Sequence, residues 1–127
     1  MGNTISEADI DKLNRAKAND PSLKSLIFRN TFIIGDLEFM RGNTFIQELR
    51  IINCWCTLSL EPLRDNTTVE CLEIADCNIE SLEPLRCNKT ICTLVLNRNG
   101  VVDISPLREN YTIRTLYLSG NPIVDAT

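Results

Sequence analysis

The sequence predicts an α/β fold. The expected object is a right-handed solenoid with a parallel concave sheet of about five short strands, 3-10 or short helical segments on the convex side, and an N-terminal capping helix. Three observations predict it. An eleven-residue pattern built on Leu-x-Leu recurs five times between Leu23 and Ile123, its copies starting 23, 23, 22 and 22 residues apart. Asn43, Asn66, Asn88 and Asn110 each stand three residues before a copy begins. The last three of these asparagines each follow a Pro-Leu-Arg-x segment, as in EPLRD, EPLRC and SPLRE. Chance alternation does not hold phase over a hundred residues.

The first element in the chain is a helix. Residues 6–18 read SEADIDKLNRAKA, with Ser6 as the N-cap and Asp9 three residues on as its capping-box partner. Ile5 and Ile10 fall at the positions of a hydrophobic staple. Ile10 and Leu13 give one apolar face with Ala16 beside it, and Asn19-Asp20-Pro21 stops the helix. Residues 1–20 are therefore read as a cap and 21–127 as about five repeats, the last incomplete.

The five copies are Leu23-x-x-Leu26-x-Phe28-x-x-Thr31-x-Ile33, Ile46-x-x-Leu49-x-Ile51-x-x-Cys54-x-Cys56, Val69-x-x-Leu72-x-Ile74-x-x-Cys77-x-Ile79, Ile91-x-x-Leu94-x-Leu96-x-x-Asn99-x-Val101 and Ile113-x-x-Leu116-x-Leu118-x-x-Asn121-x-Ile123. The paired residues of each strand point inward, and strands of successive coils stack about 4.8 Å apart. Thr31, Cys54, Cys77, Asn99 and Asn121 follow the strands. An Asn there can bond the backbone groups that the tight turn leaves inside the coil, and Cys is a small substitute with weak hydrogen bonding. The return path repeats apolar residues every third position (Ile79, Leu82, Leu85, then Val101, Ile104, Leu107), which suits a 3-10 turn. Pro62, Pro84 and Pro106 fix that turn.

The pattern L-x-x-L-x-L-x-x-N/C-x-L resembles that of leucine-rich repeats over residues 21–127. The 22-residue period, with VVDISPL and IESLEPL in the return segments, is similar to the short-repeat class that contains phosphatase-regulating proteins and bacterial internalins. LNRAKANDPSLKSL followed by RGNTFIQEL is also similar to the repeat domain of tropomodulin, an actin-filament capper. The resemblance implies a scaffold for protein–protein interaction.

Residues between the inward positions face the concave side in three rows. These are Ser25, Glu48, Cys71, Thr93, Thr115; then Ile27, Arg50, Glu73, Val95, Tyr117; then Arg29, Ile52, Ala75, Asn97, Ser119. The coil gives them no packing duty, so the face is the default binding surface of a solenoid. Arg50 and Glu73 are expected side by side, and Tyr117 is a frequent kind of hot spot. The partner-binding candidates are Arg50, Ile52, Glu73, Val95, Asn97, Tyr117 and Ser119. Trp55 lies just past a strand end; it either plugs the longer turn or is an edge hot spot exposed for a partner.

Composition narrows the function further. The net charge is −4 and there is no basic run, so no nucleic-acid footprint is seen. No apolar run approaches ~20 residues, so no transmembrane segment is expected. MGNTISEADID lacks the apolar core of a secretory signal. A cytoplasmic location is therefore expected, with the six cysteines as thiols. Met1-Gly2-x-x-x-Ser6 matches a myristoylation pattern, and acylated Gly2 would give marginal membrane contact. Three Asn-x-Thr sequons, at Asn66, Asn88 and Asn110, share one repeat phase, which a structural cause explains. Histidine is absent, and neither a phosphate loop nor a nucleophile motif is present. Cys54-Trp55-Cys56 is narrower than a usual zinc pair. No catalytic residue, cofactor or metal is expected.

The functional expectation is a non-catalytic module binding another protein on its concave face. Two alternatives stand: a regulator of an enzyme such as a phosphatase or GTPase, and an actin-filament-end binder of tropomodulin type. At the C-terminus, Asn121-Pro-Ile-Val-Asp opens like a further return segment. The uncapped last repeat suggests self-association through its edge, with a fragment of a longer protein as the rival explanation.

Overall fold

Alternation of inward and outward residues becomes five parallel strands in sequential order, β1 (Ser25–Arg29), β2 (Glu48–Ile52), β3 (Cys71–Ala75), β4 (Thr93–Val95) and β5 (Thr115–Tyr117). The structure, a computed structural model, describes residues 6–30, 35–54 and 57–124. Neighbouring strands pair with no slip, so Leu26, Leu49, Leu72, Leu94 and Leu116 form one row across the sheet. The inward side chains of the first four coils (Leu26, Phe28, Leu49, Ile51, Leu72, Ile74, Leu94 and Leu96) are fully buried. Each contributes about 1.5–3 kcal/mol of burial free energy, an upper figure because the unfolded chain is already partly compact.

The return path closes on the other side of this core. Four 3-10 turns, Glu38–Met40, Glu61–Leu63, Glu83–Leu85 and Ser105–Leu107, stack in order. Their apolar residues follow the spacing of three: Leu37 with Met40, Leu60 with Leu63 and Leu82 with Leu85 are buried. Pro62, Pro84 and Pro106 occupy the second turn position, where a missing N–H costs nothing. A side-chain oxygen two residues before each turn's first residue covers an open amide. Asp36, Ser59, Ser81 and Asp103 accept from the N–H groups of Glu38, Glu61, Glu83 and Ser105.

Left-handed backbone marks the end of every strand. Asn30, Asn53, Asp76, Arg98 and Gly120 all have φ between +53° and +78°. This conformation costs most residues about 1–2 kcal/mol and is least unfavourable for Gly, Asn and Asp. Gly120 is also required for space, because a Cβ there would stand 2.9 Å from Arg98 Cγ. The column was not recognised in the sequence, although Asn-Asn-Asp-x-Gly at the repeat period was a readable signal.

Helix α1 (Glu7–Lys17) closes the N-terminal end, with Ser6 Oγ accepting from the Asp9 N–H at 3.0 Å. It docks through its last turns. Asn43 Nδ2 donates to Ala16 O, while the Asn19 side chain accepts from Thr44 N and donates to Thr44 Oγ1. Leu13 and Ala16 are therefore buried. Ile10, expected on the same apolar face, is exposed because it lies one turn away from these anchors. Ile5 of the expected staple lies outside the described residues. Beyond the helix, Asp20 binds Arg15 Nε at 2.7 Å and the Ser22 amide, which holds its carboxyl well down, at about 2. Phe28 packs edge-on to Phe39 with ring centroids 6.3 Å apart, filling the first coil.

Two asparagine ladders link the coils. After β4, Asn99 Nδ2 donates to the carbonyls of Ile74, Leu96 and Asn97, while Oδ1 accepts from Cys77 N and Ile79 N. Asn121 repeats this one coil on, toward Leu96, Leu118, Asn99 and Val101. Cys77 and Cys54 Sγ make the weaker contacts expected of a thiol, to Ala75 O and Ile52 O. Thr31, the first member of this column, lies outside the described residues. The second ladder is the sequon phase. Asn66 and Asn110 each donate to the carbonyl of the preceding ladder residue, Asn43 and Asn88. Their Oδ1 atoms, with those of Asn43 and Asn88, receive the N–H groups two and three residues on. Thr68 and Thr112 add hydroxyl donation to Ile46 O and Ile91 O. Stacking thus explains the sequons at Asn66 and Asn110; at Asn88 the Oδ1 contacts recur, while the Thr90 hydroxyl is buried with no hydrogen-bond partner.

Asn99→Ala would strand the amides of Cys77 and Ile79 and the Ile74 carbonyl, while Leu96 O keeps Asn121 Nδ2 and Asn97 O keeps the Asp76 amide. At roughly 1 kcal/mol or more for each group left unpaired, urea denaturation should show a loss of about 3 kcal/mol. A loss under about 1 kcal/mol would mean that water replaces the side chain.

Candidate functional site: the concave face

The in-register stacking sets three outward rows across the sheet. Ser25, Glu48, Cys71, Thr93 and Thr115 align, as do Ile27, Arg50, Glu73, Val95 and Tyr117. Arg29, Ile52 and Ala75 make the third row. Asn97 and Ser119 continue it just past the ends of β4 and β5, where Asn97 Oδ1 accepts from the Ser119 N–H at 3.0 Å and the Ser119 hydroxyl at 3.2 Å.

One half of the face is charged and internally paired. Arg50 Nε donates to Glu48 Oε2 and Arg50 Nη1 to Glu73 Oε1, both at 2.6 Å, and Ser25 Oγ donates to Glu48 Oε1 at 2.7 Å. Arg50 and Glu73 are therefore in contact, as their side-by-side positions suggested. The Ser25 hydroxyl and then the Arg50 guanidinium hold the Glu48 carboxyl below the ordinary glutamate range, and the two glutamates raise Arg50. Burial pushes the neighbouring Cys71 thiol up. The network holds two carboxylates against one guanidinium, so it keeps one net negative charge although each carboxylate is engaged.

The other half is neutral. Thr93, Asn97, Thr115, Tyr117 and Ser119 supply hydroxyls, an amide and one aromatic ring across β4 and β5. Tyr117 is 57% exposed. Ala75 and Val95, by contrast, are buried despite facing this side. They are small residues on central strands, and taller neighbours such as Glu73 and Tyr117 flank Val95. The concave face therefore does some packing of its own. Ile52 and Asn97 are half-buried and Ser119 is exposed. Trp55 and Gly2 lie outside the described residues.

Other regions were less legible. Glu38, Glu61 and Glu83 each pair with the arginine three residues on, Arg41, Arg64 and Arg86, along the convex turns. The signal was present as E-P-L-R, twice, but its pairing needed a turn geometry to become visible. Arg98 pairs with Asp76 across the left-handed column at 2.9 Å. On the last coil, Leu116 is 42% exposed, whereas its equivalents Leu26, Leu49, Leu72 and Leu94 are fully buried. Among the described residues, no three metal-ligating side chains come together and no helix is long and apolar enough to cross a membrane.

A carboxylate held below its free value contributes fully above the free range and loses that contribution as pH falls through the folded value. The stability difference between the wild-type chain and Glu48→Gln should therefore be present at pH 7 and shrink on acidification below about 4.5, the ordinary glutamate value. Paired urea titrations across that range measure it; a difference independent of pH would remove Glu48 from the network.

The chain matches no family model, and no curated protein is similar to it in sequence. Among solved structures it is similar to internalin C2 from Listeria monocytogenes, with a TM-score of 0.54 and 21% identity over 84% of this chain. The chain spans 66% of the length of that protein. The likeness and the parallel sheet of short strands establish the leucine-rich-repeat fold that the sequence pattern implied.

Proposed function

We propose that this leucine-rich-repeat chain is a non-catalytic module that binds a partner protein on the concave face of its sheet. One observation carries the reading: the strands hold three aligned outward rows in register, and most of those side chains have no role in closing the coil. The exposed Tyr117, beside the hydroxyls of Thr115 and Ser119, supplies an aromatic anchor with polar surroundings, the pattern enriched at binding hot spots. The Glu48–Arg50–Glu73 network gives the adjoining strands a fixed, hydrogen-bonded relief with one net negative charge. The partner surface that fits is neutral and hydrogen-bonding rather than strongly charged. We assign the module to the cytosol, where Cys71, Cys87 and Cys92 remain thiols.

Affinity capture with the wild-type chain, Tyr117→Ala, Arg50→Ala and the convex variant Arg86→Ala tests the assignment. A partner should be retained by Arg86→Ala and weakened about tenfold or more by Tyr117→Ala, since hot spots cost ~2 kcal/mol or more. Retention by both concave variants and loss with Arg86→Ala would move the site to the convex side.

The exposed Leu116 supports a second reading, self-association through β5. Its row is core in the other coils, and β5 has one strand neighbour in the sheet. Light scattering over a concentration series should show mass rising with concentration and Leu116→Lys abolishing the rise. A strict monomer throughout would eliminate this reading.

A further inference from the structure

One convex column breaks its own rule at a single position. Glu38, Glu61 and Glu83 open three return turns, and each carboxylate is held by the arginine three residues on. The fourth turn keeps the arginine, as Arg108, but puts Ser105 where the others have the glutamate. Ser105 Oγ donates to Asp103 Oδ2 at 3.0 Å and its N–H to Asp103 Oδ1 at 2.8 Å. Ser105 lines a shallow surface depression together with Arg86, Pro106, Arg108 and Glu109. Arg108, which has no glutamate three residues before it, thus lines the same depression as Ser105, at a position where the neighbouring coils hold an anion.

We propose that Ser105 is a phosphorylation site whose phosphate is received by Arg108. Pro106 follows directly, so the modifying enzyme is of the proline-directed protein kinase class. Ser105 is half-buried, and Val102, Asp103 and Ile104 just before it are exposed, which leaves the segment on the surface for a kinase to grip. In the transfer, Ser105 Oγ attacks the γ-phosphorus of a nucleoside triphosphate. The Oγ–P bond forms as the bond from phosphorus to the β,γ-bridging oxygen breaks. The nucleoside diphosphate leaves, and the hydroxyl proton passes to the kinase's base.

Phosphorylation would give up the Ser105 hydroxyl's bond to Asp103, and the first coil shows how an arginine can hold an anion two residues along from such an aspartate. There Asp36 accepts from the Glu38 amide while the Glu38 carboxylate is held by Arg41 at 2.8 and 3.0 Å. A phosphoserine carries about −1.5 to −2 charge at neutral pH and three strong acceptor oxygens, so it matches a paired guanidinium better than a carboxylate does. The modification would complete the convex clamp column through the fourth coil. It would also change the charge of a face remote from the concave rows.

The test uses the folded full chain, a purified proline-directed kinase and magnesium ATP. Mass spectrometry should find one phosphoryl group on the wild-type chain and none on Ser105→Ala. In a phosphorus NMR titration the second ionisation of the phosphate should fall below its usual value near ~6 by about half a unit, and Arg108→Gln should return it. As a check independent of the kinase, Ser105→Glu should slow hydrogen exchange at the Arg108 and Asn110 amides about threefold, with Arg108→Gln cancelling the gain. Absence of incorporation into the folded chain, incorporation that survives Ser105→Ala, or a phosphate titration unmoved by Arg108→Gln would each overturn the proposal.

Discussion

A coil that turns back on itself every 22 or 23 residues forces backbone amides and carbonyls into an apolar interior, where each unpaired group costs on the order of 1–3 kcal/mol. Everything else in this fold depends on pairing them. The parallel strands pair most, through a register with no slip across five coils. The tight bends at the two strand ends cannot pair their own groups, and side chains do it for them. Asn99 and Asn121 serve after the strands, and Asn43, Asn66, Asn88 and Asn110 before them. An amide side chain both donates and accepts, so one residue can close a bend and reach the neighbouring coil at once. Cysteine in the same column, at 54 and 77, makes only weak thiol contacts to nearby carbonyls.

The ladders also explain how order spreads to the ends. At the N-terminal end the helix is received by the same chemistry, Asn43 to Ala16 O and Asn19 to Thr44, so the cap behaves as a coil of different shape. At β5 the inward row reaches a leucine that is substantially exposed. Between these ends the convex turns are tied by short-range Glu–Arg pairs. Exposed pairs of this kind add little stability singly. Their interest lies in the regular column they form and in the coil that departs from it.

With coil closure assigned to inward and ladder residues, the outward rows are the surface on which the proposed binding would fall. Their two halves differ physically. Over β2 and β3 opposite charges pair with one another, which fixes side chains in place and lowers the cost of ordering them on binding. Over β4 and β5 the groups are neutral, and Tyr117 is exposed. Under the proposed function, such a surface would read shape and hydrogen bonding more than net charge.

The sequence alone determined the period, the number of coils, the inward and outward positions, the strand register and the place of the 3-10 turns. It could do so because each follows from local spacing repeated at constant phase. Arg50 and Glu73 could be placed side by side for the same reason: a parallel sheet without slips converts sequence offset directly into adjacency. Tertiary structure decided what depends on neighbours of unequal size and on which groups end up buried together. Ala75 and Val95 turned from concave surface into buried positions because taller side chains stand beside them. Ile10 left the helix's apolar face because docking is anchored at the other end of that helix. Asp76 and Arg98 became a pair only once left-handed backbone at both strand ends aimed them at each other. Periodicity specifies where a residue stands along the coil; packing specifies what covers it.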